Sequence, residues 1–238
     1  MIFNPNENME DRMKETISVA IDGPSGAGKS TVAKALAKQF SLIYVDTGAI
    51  YRTVGLAAQY ADVSSKDAAA VIALLPELEI DIGYDDSGTQ RMLLNGRDVS
   101  DEIRTPRSSI YASDVSAIPE VRAFLMDMQR DMARKHSVVM DGRDIGTVVL
   151  PDANVKVFLT ASAEERARRR WLELQKRGND ATFDEVLRDI EYRDRQDSTR
   201  AAAPLRAAED AFTIDSSELC FEESVEAVAK LVRAYLDA

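Results

Sequence analysis

TISVAID at 16–22 runs straight into GPSGAGKS at 23–30, and this junction decides the fold. The first seven residues form a short apolar run rich in β-branched side chains, the signature of a buried strand. The next eight satisfy G-x-x-x-x-G-K-[ST] at every fixed position. Ser30 to Phe40 then carries Val32, Ala33, Leu36, Ala37 and Phe40 at helical spacing. Strand, glycine loop and helix are together the context in which this motif binds phosphate. Glycines let successive backbone N–H groups turn inward around an anion, and the helix N-terminus adds partial positive charge. On this reading Gly23, Gly26 and Gly28 shape the loop, and Thr31 completes the phosphate-binding set. Lys29 reaches the β- and γ-phosphates from a solvent-filled loop, and the Ser30 hydroxyl ligates Mg²⁺.

Outward from the loop, strand and helix signals alternate. Leu42 to Val45, Ser137 to Met140, Val155 to Leu159 and Phe212 to Ile214 are further short apolar strands. Ala49 to Tyr60 reads as a helix, and Val225, Val228, Ala229, Val232 and Leu236 mark a closing amphipathic one. Five strands separated by helices predict an α/β fold with a parallel sheet covered on both faces. One region breaks the rhythm. After a helix over Asp67 to Leu75, LEIDIGY (78–84) alternates, Asp85 to Gly88 is turn-rich, and Arg91 to Leu94 returns as a strand closed by Asn95-Gly96. This is an antiparallel hairpin, placed in a small inserted subdomain at about 62–105. Residues 16–238, this insert included, read as a single domain. Residues 1–15 read as a frayed extension without the apolar run or cleavage site of a secretory signal.

The chain has 238 residues and a net charge of −11. That balance argues against a protein whose main task is gripping nucleic-acid backbone, and no apolar window is long enough to span a bilayer. The single cysteine, Cys220, excludes an internal disulfide, fits a reducing compartment and reads as a small buried hydrophobe. The single His136 leaves no partner for a histidine-rich metal site. A cytoplasmic enzyme is expected.

Two further features carry chemistry. VVMD at 138–141 is an apolar strand ending in a carboxylate, so Asp141 either holds Mg²⁺, directly or through water, or caps the following turn. Arginines outnumber lysines 21 to 9. Arg166, Arg168, Arg169 and Arg170 fall within five residues and point around more than half a helix, so one or two can serve a ligand while the rest are solvated. Arg193, Arg195 and Arg200 interleave with Asp194 and Asp197, which fits either surface ion pairing or a site.

At this point the chain resembles the cytidylate kinases, of the bacterial type with a long insert that binds the nucleoside monophosphate. The resemblance covers about 16–232. It rests on IDGPSGAGKST (21–31), DTGAIYR (46–52), EIRT (102–105), DGRDIGTVVLPDA (141–153) and RDRQDSTRAAAPL (193–205). It implies a P-loop nucleoside monophosphate kinase with a five-stranded parallel core, an inserted subdomain and a helical lid at about 164–182. It implies transfer of the γ-phosphoryl group of ATP to CMP or dCMP with Mg²⁺, by a monomer that uses no nucleic acid or membrane. It further implies that Thr47, Arg52 and Arg143 contact the acceptor phosphate, and that Ser113, Arg122 and Asp144 read the base. Arg193 and Asp197 are then the ribose contacts, through either the 2′- or the 3′-hydroxyl, and Arg200 reaches the acceptor nucleotide. Arg166 and Arg169 are the lid candidates nearest ATP. Lys29, Arg143 and Arg193 form the catalytic set, in which positive charge rather than a general base does the chemistry. Two alternatives stay open: another P-loop small-molecule kinase of adenylate or uridylate type, and a non-catalytic nucleotide-binding switch.

Overall fold

The structure, a computed structural model, describes residues 16–176 and 178–238; the proposed N-terminal extension lies outside the described residues. In chain order the elements are β1 (Ser18–Asp22), α1 (Lys29–Phe40), β2 (Ile43–Asp46), α2 (Thr47–Tyr60), α3 (Ala68–Leu74), β3 (Ile80–Tyr84), β4 (Gln90–Leu94) and β5 (Arg97–Asp98). Then follow α4 (Pro106–Ser116), α5 (Pro119–Lys135), β6 (Val138–Gly142), β7 (Val155–Thr160), α6 (Ala163–Lys176), α7 (Phe183–Thr199), β8 (Phe212–Asp215) and α8 (Phe221–Leu236).

The five expected strands form one sheet in the order β2-β6-β1-β7-β8, and every pairing is parallel. Alternate side chains of β1 feed two cores. Val19 and Ile21 pack with Val32, Ala33 and Leu36 of α1 and Val228 and Val232 of α8. Ala20 faces the other side, where Ile50 and Val54 of α2 and Val121 and Leu125 of α5 gather. Burial on both faces of β1, β2, β6 and β7 explains why they read as continuous apolar runs rather than alternating ones, while the edge strand β8 is largely exposed.

The hairpin region forms a second, antiparallel sheet in the order β3-β4-β5. Its turn is tied by Asp85, whose Oδ1 accepts from the Ser87 and Thr89 N–H groups, both at 3.0 Å. Asn95-Gly96 does not close the hairpin as expected. Both residues have positive φ, 50° and 77°, and this tight turn carries the chain into the short third strand β5. Alternation along β4 buries Gln90, Met92 and Leu94, and Met92 and Leu94 join the core cluster under α2.

α6 and α7 share a small cluster of their own, in which Ala167, Val186 and Ile190 are buried against Trp171 and Leu174. Cys220 is a second correction. It is exposed and caps α8, its N–H donating to Glu223 Oε2 at 2.8 Å while its Sγ accepts the Glu223 N–H. A small side chain with an acceptor at a helix start is recruited to the cap before it can pack. No helix among the described residues is long and apolar enough to cross a membrane.

Candidate active site

The glycine loop joins β1 to α1. Gly23 has φ +147°, and a Cβ there would lie 1.9 Å from the Leu159 carbonyl oxygen on β7, so no larger residue fits. Gly28 is the left-handed N-cap of α1, φ 90°, leaving the first N–H groups of the helix facing the loop. Lys29 is not solvent-filled as expected. It is 5% exposed, and its Nζ donates to Pro24 O at 2.8 Å, folding back across the loop. Burial, and next the charge of Arg143, push its ammonium down to about 7.

Beside it Ser30 Oγ donates to Asp141 Oδ2 at 2.9 Å and Tyr44 OH donates to Asp141 Oδ1 at 2.8 Å. Burial and then the Asp46 charge hold Asp141 above the usual carboxylate range. One hydroxyl and one carboxylate are hard oxygen donors of the kind Mg²⁺ takes alongside substrate phosphates. Among the described residues no cluster of three or more acidic, histidine or cysteine side chains could hold a metal by itself.

β6 ends at Gly142, and a π-helical turn, Ile145–Val149, follows Arg143 and Asp144. Asp22, the last residue of β1, fastens that turn. Its two carboxylate oxygens accept the Ile145 and Gly146 N–H groups, both at 2.7 Å. Burial raises its pKa to about 6, against the two N–H groups. The glycine loop and the Arg143-Asp144 pair are therefore held to each other by one side chain.

A cleft of about 490 Å³ opens along this line. Eight arginines and Lys29 line it against four aspartates and Glu173, an excess of positive charge in a chain whose net charge is −11. At one end Arg122 Nη2 bonds Asp144 Oδ2, and both side chains are 6% exposed. Arg200 Nη2 reaches Asp144 Oδ1 at 3.2 Å and its Nη1 reaches Ser116 Oγ at 3.0 Å. The Tyr51 ring lies 5.7 Å from the Arg122 guanidinium. Ser113 Oγ is buried here with no hydrogen-bond partner. In the middle, Arg143 Nε donates to Asp197 Oδ2 at 2.7 Å. Arg193 has a buried Nε without a partner, and burial, then Arg143, lower its pKa to about 10.

The expected acceptor and base residues thus converge, though their segments span 47 to 200. Thr47 lines the cleft but its hydroxyl donates to Asp141 O at 2.7 Å, so its one proton already has a backbone acceptor. The arginine run on α6 divides as its helical spacing demands. Arg166 is buried, bracing Ser25 O at 3.1 Å and pairing with Asp194 at 2.6 Å, and it is not among the side chains lining the cleft. Arg168 pairs outside with Glu165. Arg169 lines the cleft while bonded to Glu165 and Ser216. Arg170, paired with Glu173, lines it too. Arg170, Arg104, Tyr51 and Asp46 were not foreseen. All four sit inside runs already marked in the sequence, but only packing chooses one residue of a run.

A family model described as cytidylate kinase matches residues 19–234. The chain is 50% identical over 215 residues to the cytidylate kinase of Caldicellulosiruptor saccharolyticus, covering 90% of this chain and 95% of that protein. It is 51% identical over 220 residues to that of Geobacter sp., covering 92% and 94%. Among solved structures, a shikimate kinase from Bacteroides thetaiotaomicron is similar over 93% of this chain and 99% of that one, at 14% identity and a TM-score of 0.46. A family match running the length of the glycine loop, the cleft and the closing helix, together with relatives half identical across nine-tenths of the chain, means that this chain belongs to the cytidylate kinase family.

Proposed function

We propose that the chain transfers the γ-phosphoryl group of ATP to CMP or dCMP, giving CDP or dCDP. The observation that carries this is the cleft itself: a phosphate loop at one end, the buried Arg122–Asp144 pair beside an unpartnered Ser113 hydroxyl at the other, and arginines between. A phosphate monoester has a second pKa of about 6, so the acceptor is already a nucleophile at neutral pH. The obstacle is bringing two polyanions into line, and positioned positive charge overcomes it.

The geometry supports the following roles. Gly23, Gly26, Gly28, Lys29, Ser30 and Thr31 hold the ATP phosphates. Ser30 and Asp141, the latter directly or through water, would hold Mg²⁺, which when bound would neutralise charge on the transferring phosphoryl group. Arg52 and Arg143, with Thr47 after rotation of its hydroxyl, take the acceptor phosphate. Asp144 accepts from the cytosine amino group while Arg122 donates to its acceptor atoms and Ser113 adds a third contact. Uracil presents an acceptor to Asp144 and a donor to Arg122, leaving buried groups unpaired. Arg193 and Asp197 take the ribose and Arg200 the acceptor nucleotide. Residues 16–238 act as one domain, in which the three-stranded insert at about 62–105 and the lid at about 164–182 close over the substrates and exclude water. Arg169 is the lid arginine best placed to reach ATP, and Arg166 steadies the loop that holds it. The enzyme works as a cytoplasmic monomer without nucleic acid or membrane. The family match and the named relatives do not favour an adenylate- or uridylate-type kinase or a non-catalytic switch.

Coupled ADP release with ATP, Mg²⁺ and each nucleoside monophosphate in turn tests this. The expected outcome is fast turnover of CMP and dCMP and slow turnover of UMP and AMP. ADP release equally fast with AMP would overturn it.

A further inference from the structure

We propose that Arg104 is a third guanidinium of the acceptor-phosphate site, held by Asp46 in the free protein and passed to the acceptor's phosphate when the nucleotide arrives. The proposal rests on reading the cleft as a CMP kinase site. Among the motifs of the resemblance, EIRT (102–105) alone has no assigned role. It forms a short 3₁₀ turn, Glu102–Arg104, at the far end of the three-stranded insert, and places Arg104 in the cleft wall.

Arg104 Nη1 donates to Asp46 Oδ2 at 2.9 Å, but the two partners differ in freedom: the arginine side chain is 45% exposed and the aspartate 7%. Asp46 is fixed. Its Oδ1 accepts the Ala49 N–H at 2.9 Å as the N-cap of α2. The Gln90 amide brackets its backbone, accepting its N–H at 2.7 Å and donating to its C=O at 3.3 Å. Gln90 thereby pins the insert to the free edge of β2, so Arg104 is delivered to one place while its side chain keeps room to turn.

Asp46 does not depend on Arg104. A Cβ on Gly48 would lie 3.2 Å from Asp46 Oδ1 and 3.7 Å from Arg52 Nη1, so Arg52 stands just across that glycine. When Arg104 turns away, the buried carboxylate keeps the Arg52 charge nearby and the Ala49 N–H, and is not left an orphan charge. A half-exposed ion pair is weak, whereas a phosphate dianion accepts a bidentate guanidinium with two charges. The three cations also repel one another. Besides burial, Arg104 and Arg143 both hold the Arg52 guanidinium below its ordinary value, and an anion between them relieves this. The side of the cleft is decided by topology: β2 is separated from β1 and the glycine loop by β6. Arg104 therefore belongs to the acceptor's end and not to ATP's.

The test uses the full chain with two probes, CMP and cytidine, which share base and sugar and differ by the phosphate. Arg104→Gln can retain one hydrogen bond to Asp46. It is expected to raise the KM for CMP about tenfold or more and leave the cytidine inhibition constant within about twofold, with the KM for ATP unchanged. Arg104→Lys falls between, because charge survives but the fork is lost. If the Gln variant does not fold by thermal melt, the same CMP-specific loss in the Lys variant carries the test. Equal weakening of CMP and cytidine would make Arg104 a shaper of the insert, and an unchanged CMP KM would remove it from the site; either overturns the proposal. Wild-type protein that turns over no CMP would instead overturn the reading of the cleft.

Discussion

The two ends of the cleft are built by different means. On the proposed reading the ATP end is eight consecutive residues whose backbone grips phosphate, with glycines at φ +147°, +80° and +90° and one lysine folded over them. The acceptor end is made of side chains from α2, α4, α5, the turn after β6 and α7, held in place by one another through Arg122–Asp144, Arg200–Asp144 and Arg143–Asp197. Backbone recognition is local and insensitive to the ligand's base. Side-chain recognition is distributed and selective, and its parts are interdependent.

This contrast can be broken most sharply at Lys29. Lys29→Ala is expected to lower kcat by about 10²–10³ while the chain stays folded, because charge is removed where it develops and its hydrogen bond, to Pro24 O, lies within the loop itself. Steady-state kinetics on a variant with a wild-type circular dichroism spectrum checks it, and near-normal kcat would leave the loop outside the chemistry.

Asp22 joins the two ends, and its titration tests the joint. Its pKa is about 6 when folded, against 3.8 for an exposed aspartate. The native state therefore holds the extra proton between those values, and its contribution to stability falls as pH rises from about 4 to about 6, by at most about 3 kcal/mol. Asp22→Asn is expected to flatten that part of the pH–stability curve relative to wild type, measured by urea melts. Parallel curves would mean the carboxylate titrates normally.

Asp144→Asn probes the selective end. The ratio of kcat/KM for CMP over UMP is expected to shrink about 5- to 150-fold, the value of one good bidentate contact, with ATP binding little changed. An unchanged ratio would reduce Asp144 to a partner for Arg122 and Arg200. The smallest effect belongs to Ser113→Ala. The hydroxyl has no partner in the free protein, so stability should hold or rise slightly, while kcat/KM for CMP drops about 2- to 12-fold. A lowered melting temperature with unchanged kinetics would show that the hydroxyl is structural.

β1, β2, β6 and β7 were legible from their apolar runs because both faces are covered and nearly every residue meets core; the edge strand β8 is largely exposed and was legible only from its short FTI run. The third strand, Arg97–Asp98, was not: two exposed polar residues carry no pattern, and it exists only because Asn95-Gly96 turns the chain back onto β4. Likewise α2 starts at Thr47 rather than Ala49, since the cap is the Asp46 carboxylate and Gly48 weakens the helical signal of the first turn.

What the sequence determined by itself was whatever a contiguous segment can do alone: the phosphate loop, whose donors are neighbouring N–H groups, and the alternation of strands and helices, which follows from local periodicity. The resemblance added the names of distant residues but not their present partners. Only the tertiary structure decided that Lys29 is buried, that Thr47 gives its proton to Asp141 O, that Arg166 faces inward to Ser25 and Asp194 while Arg170 meets the cleft, and that Arg104 rests on Asp46. The reason is physical. A long charged side chain has several acceptors within reach of its backbone position, and which one it takes depends on the desolvation and counter-charge supplied by segments far away in the chain.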